Sequence, residues 1–260
     1  MDWDEEQVMG ISKYKKALKR IMPRKVIVNI YSMISAINNF FCKRKYEKLS
    51  NLKIDKSFIK VGFLIQMPEI WDKQATLFEA LVHDERFQPF LILMPAYDFV
   101  NKAVKTNYDD NYFQKYYPNY CIRAHDNNKW INIKTMDLDY LFYQRPYDWY
   151  LPKELQSVTV SNYTRCCYVP YAFWPLKYDL CGYNRSFFRS LYFGFLESKE
   201  NCEEIIRYGD YEAEKRYLFC GYPSLTQKYS VPSRNRKDTT TILWTPRWNY
   251  DENVGGSHFF

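Results

Sequence analysis

Glu69 stands in the stretch Gln66-Met-Pro-Glu-Ile-Trp71, directly after the apolar run Val61 to Ile65. A carboxylate at the mouth of a strand can take the proton of an attacking hydroxyl, which makes Glu69 the candidate general base; a solvated loop carboxylate is the plainer account. Arg145, in Gln144-Arg-Pro-Tyr147, carries a planar fork suited to a phosphate, although a surface ion pair would account for it equally well. Gln66, Gln144 and Tyr147 flank these two charges and join them as candidate substrate contacts. His125-Asp126 is a further acid–base pair, but the Asn127-Asn128 that follows reads as a surface turn. The seven cysteines show no C-x-x-C and no histidine at ligand spacing, so they are read as reduced thiols of a cytosolic protein and no metal site is expected.

Such side chains need a scaffold, and the opening stretch supplies it. Lys60-Val-Gly-Phe-Leu-Ile-Gln66 reads as a short buried strand that stops where Pro68 removes a ladder donor. From Asp72 to about Arg86 the apolar residues Leu77, Phe78, Leu81 and Val82 share one helical face, and Phe90 to Met94 forms a second strand before Pro95. This β-α-β unit implies a parallel sheet covered on both faces, with ligands beyond the carboxyl ends of its strands. Further along, Asn101 to Tyr117 is expected to be helical, and strands are expected at Tyr120 to Ala124, Leu138 to Tyr143, Cys166 to Val169 and Lys215 to Gly221. Residues 184–213 read as one helical segment, with Phe187, Phe188, Leu191, Tyr192 and Phe195 on one side. The alternation predicts an α/β class, a doubly wound, mostly parallel sheet. No G-x-G-x-x-G and no Walker loop occurs, so a glycine cradle for a nucleotide is not expected here.

Charge is distributed unevenly. Residues 1–60 hold 14 Lys/Arg against 6 Asp/Glu, so the whole net charge of +7 resides in the leader and the remainder is close to neutral. That excludes a nucleic-acid groove running over the folded body. Within the leader, Val26 to Cys42 is seventeen residues without a charge, between Arg24-Lys25 and Lys43-Arg44-Lys45. Its recurring Asn29, Ser32, Ser35, Asn38 and Asn39 form a polar stripe. The segment is therefore read as an interfacial helix at an anionic membrane surface, or as a helical hairpin that packs on the core. The resulting division is a basic helical leader over 1–59, a Rossmann-like domain over 60–230, and over 231–260 a linker and the first strand of an incomplete second α/β domain.

Five phrases, taken in order, carry a resemblance. Leu64-Ile-Gln-Met-Pro-Glu-Ile-Trp71, Gln144-Arg-Pro-Tyr147, Tyr168-Val-Pro-Tyr-Ala-Phe173, Gly221-Tyr-Pro223 and Ile242-Leu-Trp-Thr-Pro-Arg-Trp248 resemble the CDP-glycerol glycerophosphotransferase family of capsule and teichoic-acid assembly. The resemblance implies a two-domain GT-B shape, of which this chain carries the acceptor-side half, inactive alone. It implies a CDP-glycerol or similar nucleotide-activated donor, a lipid-linked glycan or polyol-phosphate acceptor, no cofactor, and a cytoplasmic place on the inner face of the cell membrane. Arg247 and Trp248 are then expected to begin the donor pocket, and Tyr171 and Lys177 to line the acceptor side. One departure stands out: Tyr171-Ala-Phe-Trp-Pro-Leu-Lys177 has Ala172 where the family carries a catalytic histidine. The alternatives are a sugar-nucleotide glycosyltransferase of the same shape and a non-catalytic, membrane-associated fragment.

Overall fold

Ile59–Ile65 forms strand β1, and its last five residues are buried. In the computed structural model the described residues are 23–52, 57–105, 111–173, 180–207 and 210–223. β1 pairs in parallel with β2 (Phe87–Leu93) on one side and with β4 (Tyr140–Tyr143) on the other. Beyond β2 lies β3 (Cys121–Arg123); beyond β4 lie β5 (Arg165–Tyr168), β6 (Leu191–Leu196) and β7 (Tyr217–Phe219). The sheet order is β7-β6-β5-β4-β1-β2-β3, and every pairing is parallel. The chain winds outward from β1 in one direction and from β4 in the other, so the order reverses between these two strands. This is a Rossmann-like α/β sheet, wound both ways from its centre.

Alternation along the strands divides the core into two layers. Phe63, Leu91, Phe142 and Cys167 pack with Trp71, with Phe78 of α2 (Asp72–Val82) and with Phe113 of α3 (Asn111–Tyr116). Leu64, Ile92, Leu141 and Cys166 pack on the opposite face with Val160 of α4 (Ser157–Val160), Phe187 and Phe188 of α5 (Leu180–Ser190) and Ile205 of α6 (Lys199–Arg207). Neighbouring Cys166 and Cys167 thus face opposite layers, as the pleat requires.

Three expectations are corrected. Residues 184–213 are not one helix: β6 stands between α5 and α6. The apolar spacing that looked helical belongs to the end of α5 and to a strand paired on both sides. Gly194 fits that strand closely, since a Cβ there would come within 2.7 Å of the Tyr217 ring. β2 begins at Phe87, ahead of Pro89. Leu91 donates toward the β3 side, to the Tyr120 carbonyl, so Pro89 lacks its donor on the side where β3 has not yet begun. Of the helix expected over Asn101 to Tyr117, the described residues show α3, while Ala103–Val104 pairs with Tyr97–Asp98 in a small hairpin and residues 106–110 lie outside the described residues.

Contacts divide the chain into two units, Met1–Ile34 with Tyr229–Phe260, and Ser35–Lys228. In the first, the described residues 23–34 lead into and begin helix α1 (Arg24–Ser50), which is one continuous helix and not a hairpin. In the second, the remainder of α1 docks at the amino edge of the sheet. Asn39 accepts from the Tyr211 amide at 2.8 Å, Lys48 donates to the Asn162 carbonyl at 2.7 Å, and Tyr46 stacks on Tyr192 at 4.8 Å. Arg216, buried, donates to the carbonyls of Phe188, Arg189, Leu191 and Tyr211 and to the Cys42 thiol. Among the described residues no helix is long and apolar enough to cross a membrane. The expected linker and strand over 231–260, and the leader up to residue 22, lie outside the described residues.

Phe78 is fully buried and meets Phe63, Trp71, Tyr117 and Tyr120 at ring separations of 5.3–5.5 Å. Phe78→Ala is expected to cost about 3–5 kcal/mol, measured as a lower denaturant midpoint. A loss below about 1 kcal/mol would contradict this packing.

Candidate functional site

The strand order reverses between β1 and β4, and Gln66 and Gln144 are the residues that follow the carboxyl ends of those strands. Their side chains reach across to one another's backbone. Gln144 Oε1 accepts from the Gln66 and Met67 amides at 2.7 and 2.9 Å, while Gln66 Oε1 accepts from the Arg145 amide at 3.1 Å. Three backbone donors that could cradle an anion are therefore already occupied. The following turn is acidic as well, with Glu69 exposed in the 3₁₀ turn Pro68–Ile70 and Asp72 opening α2. A carboxylate at a helix start disfavours a second anion there.

Two buried polar atoms beside this lock are unsatisfied. Gln74, fully buried on α2, donates to the Tyr143 carbonyl at 3.0 Å, yet its Oε1 has no partner, and neither has Nε2 of buried Gln144. One is an acceptor and one a donor. Buried polar groups are rarely left so, and a hydroxyl can both donate and accept.

Around the lock runs a chain of rings. The Arg145 guanidinium lies 4.5 Å from the centre of Tyr150 and 5.3 Å from that of Tyr147. Phe99 meets Tyr150 edge-on at 4.6 Å, and the Tyr147 and Tyr171 hydroxyls are 3.0 Å apart. Burial, with the Tyr171 hydroxyl adding to it, holds the Tyr147 phenol well above its ordinary pKa, so it stays protonated and cannot act as a base near neutrality. Tyr222 packs edge-on against exposed Phe173, and Lys73 lies 5.5 Å above its ring. Burial works against the Lys73 charge, but the Asp72 carboxylate and Tyr222 outweigh it and raise its pKa. Gly221, at φ 77°, turns the chain after β7 so that Tyr222 returns along this edge.

Supporting bonds fix the loops. Asp148 accepts from the Ser157 amide and hydroxyl, both at 2.7 Å, which ties the Tyr147 to Tyr150 turn to α4. Burial raises its pKa against the pull of these donors. Asp98 accepts from the Val100 and Asn101 amides at 3.0 and 3.1 Å and anchors the loop that presents Phe99.

Of the candidates read from the sequence, Gln66, Gln144 and Arg145 meet in one bonded cluster, and Tyr147 and Tyr171 pair beside it. Glu69 lies on the same edge, in the turn that follows β1. Lys177, Arg247 and Trp248 lie outside the described residues. His125 is held against Trp130 at 4.7 Å in the small hairpin after β3. Phe99, Trp149, Tyr150 and Lys73 also stand here without having been candidates, and Phe173 and Tyr222 were named only within the resembling phrases. Most of these follow the carboxyl end of a strand, and scanning those ends for aromatic residues would have found them. Among the described residues no group of His, Cys, Asp or Glu could hold a metal ion. No protein-family model, curated protein or solved structure matches the chain.

The Asn101 amide and side chain, with lesser help from Lys105 and the Val100 amide, lower the Asp98 pKa from 3.8 to about 2. The folded value lies below the unfolded one, so the stabilisation is complete above about pH 4 and is lost as pH falls through about 2. The Asp98 carboxyl carbon, followed by NMR, is expected to titrate near pH 2. A midpoint near 4 would show that the anchoring bonds are not made in solution.

Proposed function

We propose that the described domain is the acceptor-binding half of a GT-B-type transferase. In this reading the enzyme moves glycerol phosphate, or a related polyol phosphate, from a CDP-activated donor to a hydroxyl of a surface polysaccharide or teichoic-acid-like polymer at the inner face of the membrane. The observation that carries the reading is the Gln66–Gln144 lock with Arg145 laid across Tyr147 and Tyr150 beside it. The occupied backbone donors and the acidic turn disfavour a diphosphate at this edge, which suits an acceptor better than a nucleotide donor. Rings match the carbon faces of a polyol or sugar, and Arg145 matches a phosphodiester in the polymer.

The chemistry follows from these roles. The acceptor oxygen bonds to the β-phosphorus of the donor, the phosphoanhydride bond breaks, and CMP leaves with the electron pair. Glu69 takes the hydroxyl proton. The donor pocket is assigned to the segment around Arg247 and Trp248. A second reading, a non-catalytic binding module, is favoured by Ala172, which can neither give nor take a proton where the resembling family has its histidine.

Titration of the full chain with a poly(glycerol phosphate) oligomer, followed by intrinsic fluorescence, is expected to show saturable binding that Arg145→Ala weakens about tenfold. Absence of binding, or equal affinity in the variant, contradicts the acceptor assignment. In a transfer assay with labelled CDP-glycerol, run on a version extended past Phe260 by a donor-side half, Glu69→Gln is expected to lower the rate at least tenfold. An unchanged rate removes Glu69 as the base.

A further inference from the structure

The carboxyl half of α1 buries one side against the domain through Asn39, Cys42, Tyr46 and Leu49, a line spaced by three and four residues. A helix docked in this way ordinarily turns polar residues to solvent. α1 does the reverse. Ile37, Phe40 and Phe41 lie on the opposite side and are 47%, 54% and 61% accessible, far too open for core side chains. Ser35, Asn38 and Asn39, away from these three, are only half-exposed. Taken by itself, the stretch 23–34 also exposes Ile30, Met33 and Ile34.

We infer that this outward face of α1 docks in the plane of an anionic lipid surface. The charges choose the partner. Exposed Arg44 lies 5.7 Å over the Phe40 ring, exposed Lys43 precedes it 3.8 Å from Glu47, the one acidic residue in the helix, and exposed Lys48 follows while bonded to the Asn162 carbonyl. An apolar strip with a basic end matches hydrocarbon beneath negative headgroups. A second copy of the same helix would bring cations against cations without opposing carboxylates to pair them, so self-association fits less well. The helix lies on such a surface without crossing it, which agrees with its mixed composition. The inference stands on α1 alone and is independent of the transferase reading.

Flotation of the full chain with phosphatidylcholine vesicles, with and without 30% phosphatidylglycerol, tests it, since Ile37 and Phe40 are exposed and can be changed without touching the core. Co-flotation only with phosphatidylglycerol vesicles is expected, with Ile37→Asp/Phe40→Asp losing at least tenfold in partition and Lys43→Gln/Arg44→Gln losing roughly tenfold. Circular dichroism of each variant confirms that the fold is kept. Failure of the wild-type chain to float, equal flotation with neutral vesicles, or a dimer in sedimentation that Ile37→Asp/Phe40→Asp dissolves without any vesicle binding would each overturn the inference.

Discussion

Backbone amides at the carboxyl ends of parallel strands need partners once the ladder stops, and in this protein two glutamine side chains provide them. At the centre of a sheet that winds both ways, β1 and β4 end side by side and their chains diverge. Water or a ligand phosphate would ordinarily satisfy the donors exposed there. Gln66 and Gln144 do so reciprocally, each bonding to the backbone that follows the other's strand. The exchange fixes the exits of β1 and β4 relative to each other. It thereby sets where Glu69 and α2 go on one side, and where Arg145 and Tyr147 go on the other.

The chemistry of this edge follows from that choice. A glycine-rich turn leaves its amides open and recruits an anion; an amide lock uses them up and leaves neutral, hydrogen-bonding surface. What remains accessible is carbon and cation: rings along the edge, with Arg145 and Lys73 lying over them. Arg145 on a tyrosine face keeps its charge while its planar shape is held in place. The acceptor side of a polymer-building reaction is the proposal that this edge supports: rings for carbon faces and a held guanidinium for an occasional negative charge.

The opening β-α-β unit was legible because its signals are local: an apolar run bounded by Lys60 and Pro68, a one-sided helix, then a second run. β6 was not. Leu191, Tyr192 and Phe195 fit a helical face as well as a strand, and what decides between them is tertiary, the close fit of Gly194 against the Tyr217 ring. The second strand was read three residues short, from Phe90 instead of Phe87, and Pro89 is tolerated inside it because a missing donor matters only where a neighbour waits for it. For the site, position could be read from the sequence but partnership could not: Gln66 and Gln144 stood out at strand ends, yet nothing in their spacing of 78 residues indicates that they bond to one another's backbone. The ring chain was hidden by the number of aromatic residues, 25 Tyr and 18 Phe, many of which have other work in the two core layers.

Hydrogen exchange at the switch point in Gln144→Leu tests the central claim most directly, because leucine keeps the volume and removes the acceptor. The account predicts that the Gln66 and Met67 amides lose at least a hundredfold in protection, while those of Cys166 and Cys167 in β5 change no more than global stability does. Unaltered protection at Gln66 and Met67 would mean that something other than the glutamine holds the ends of β1 and β4 together.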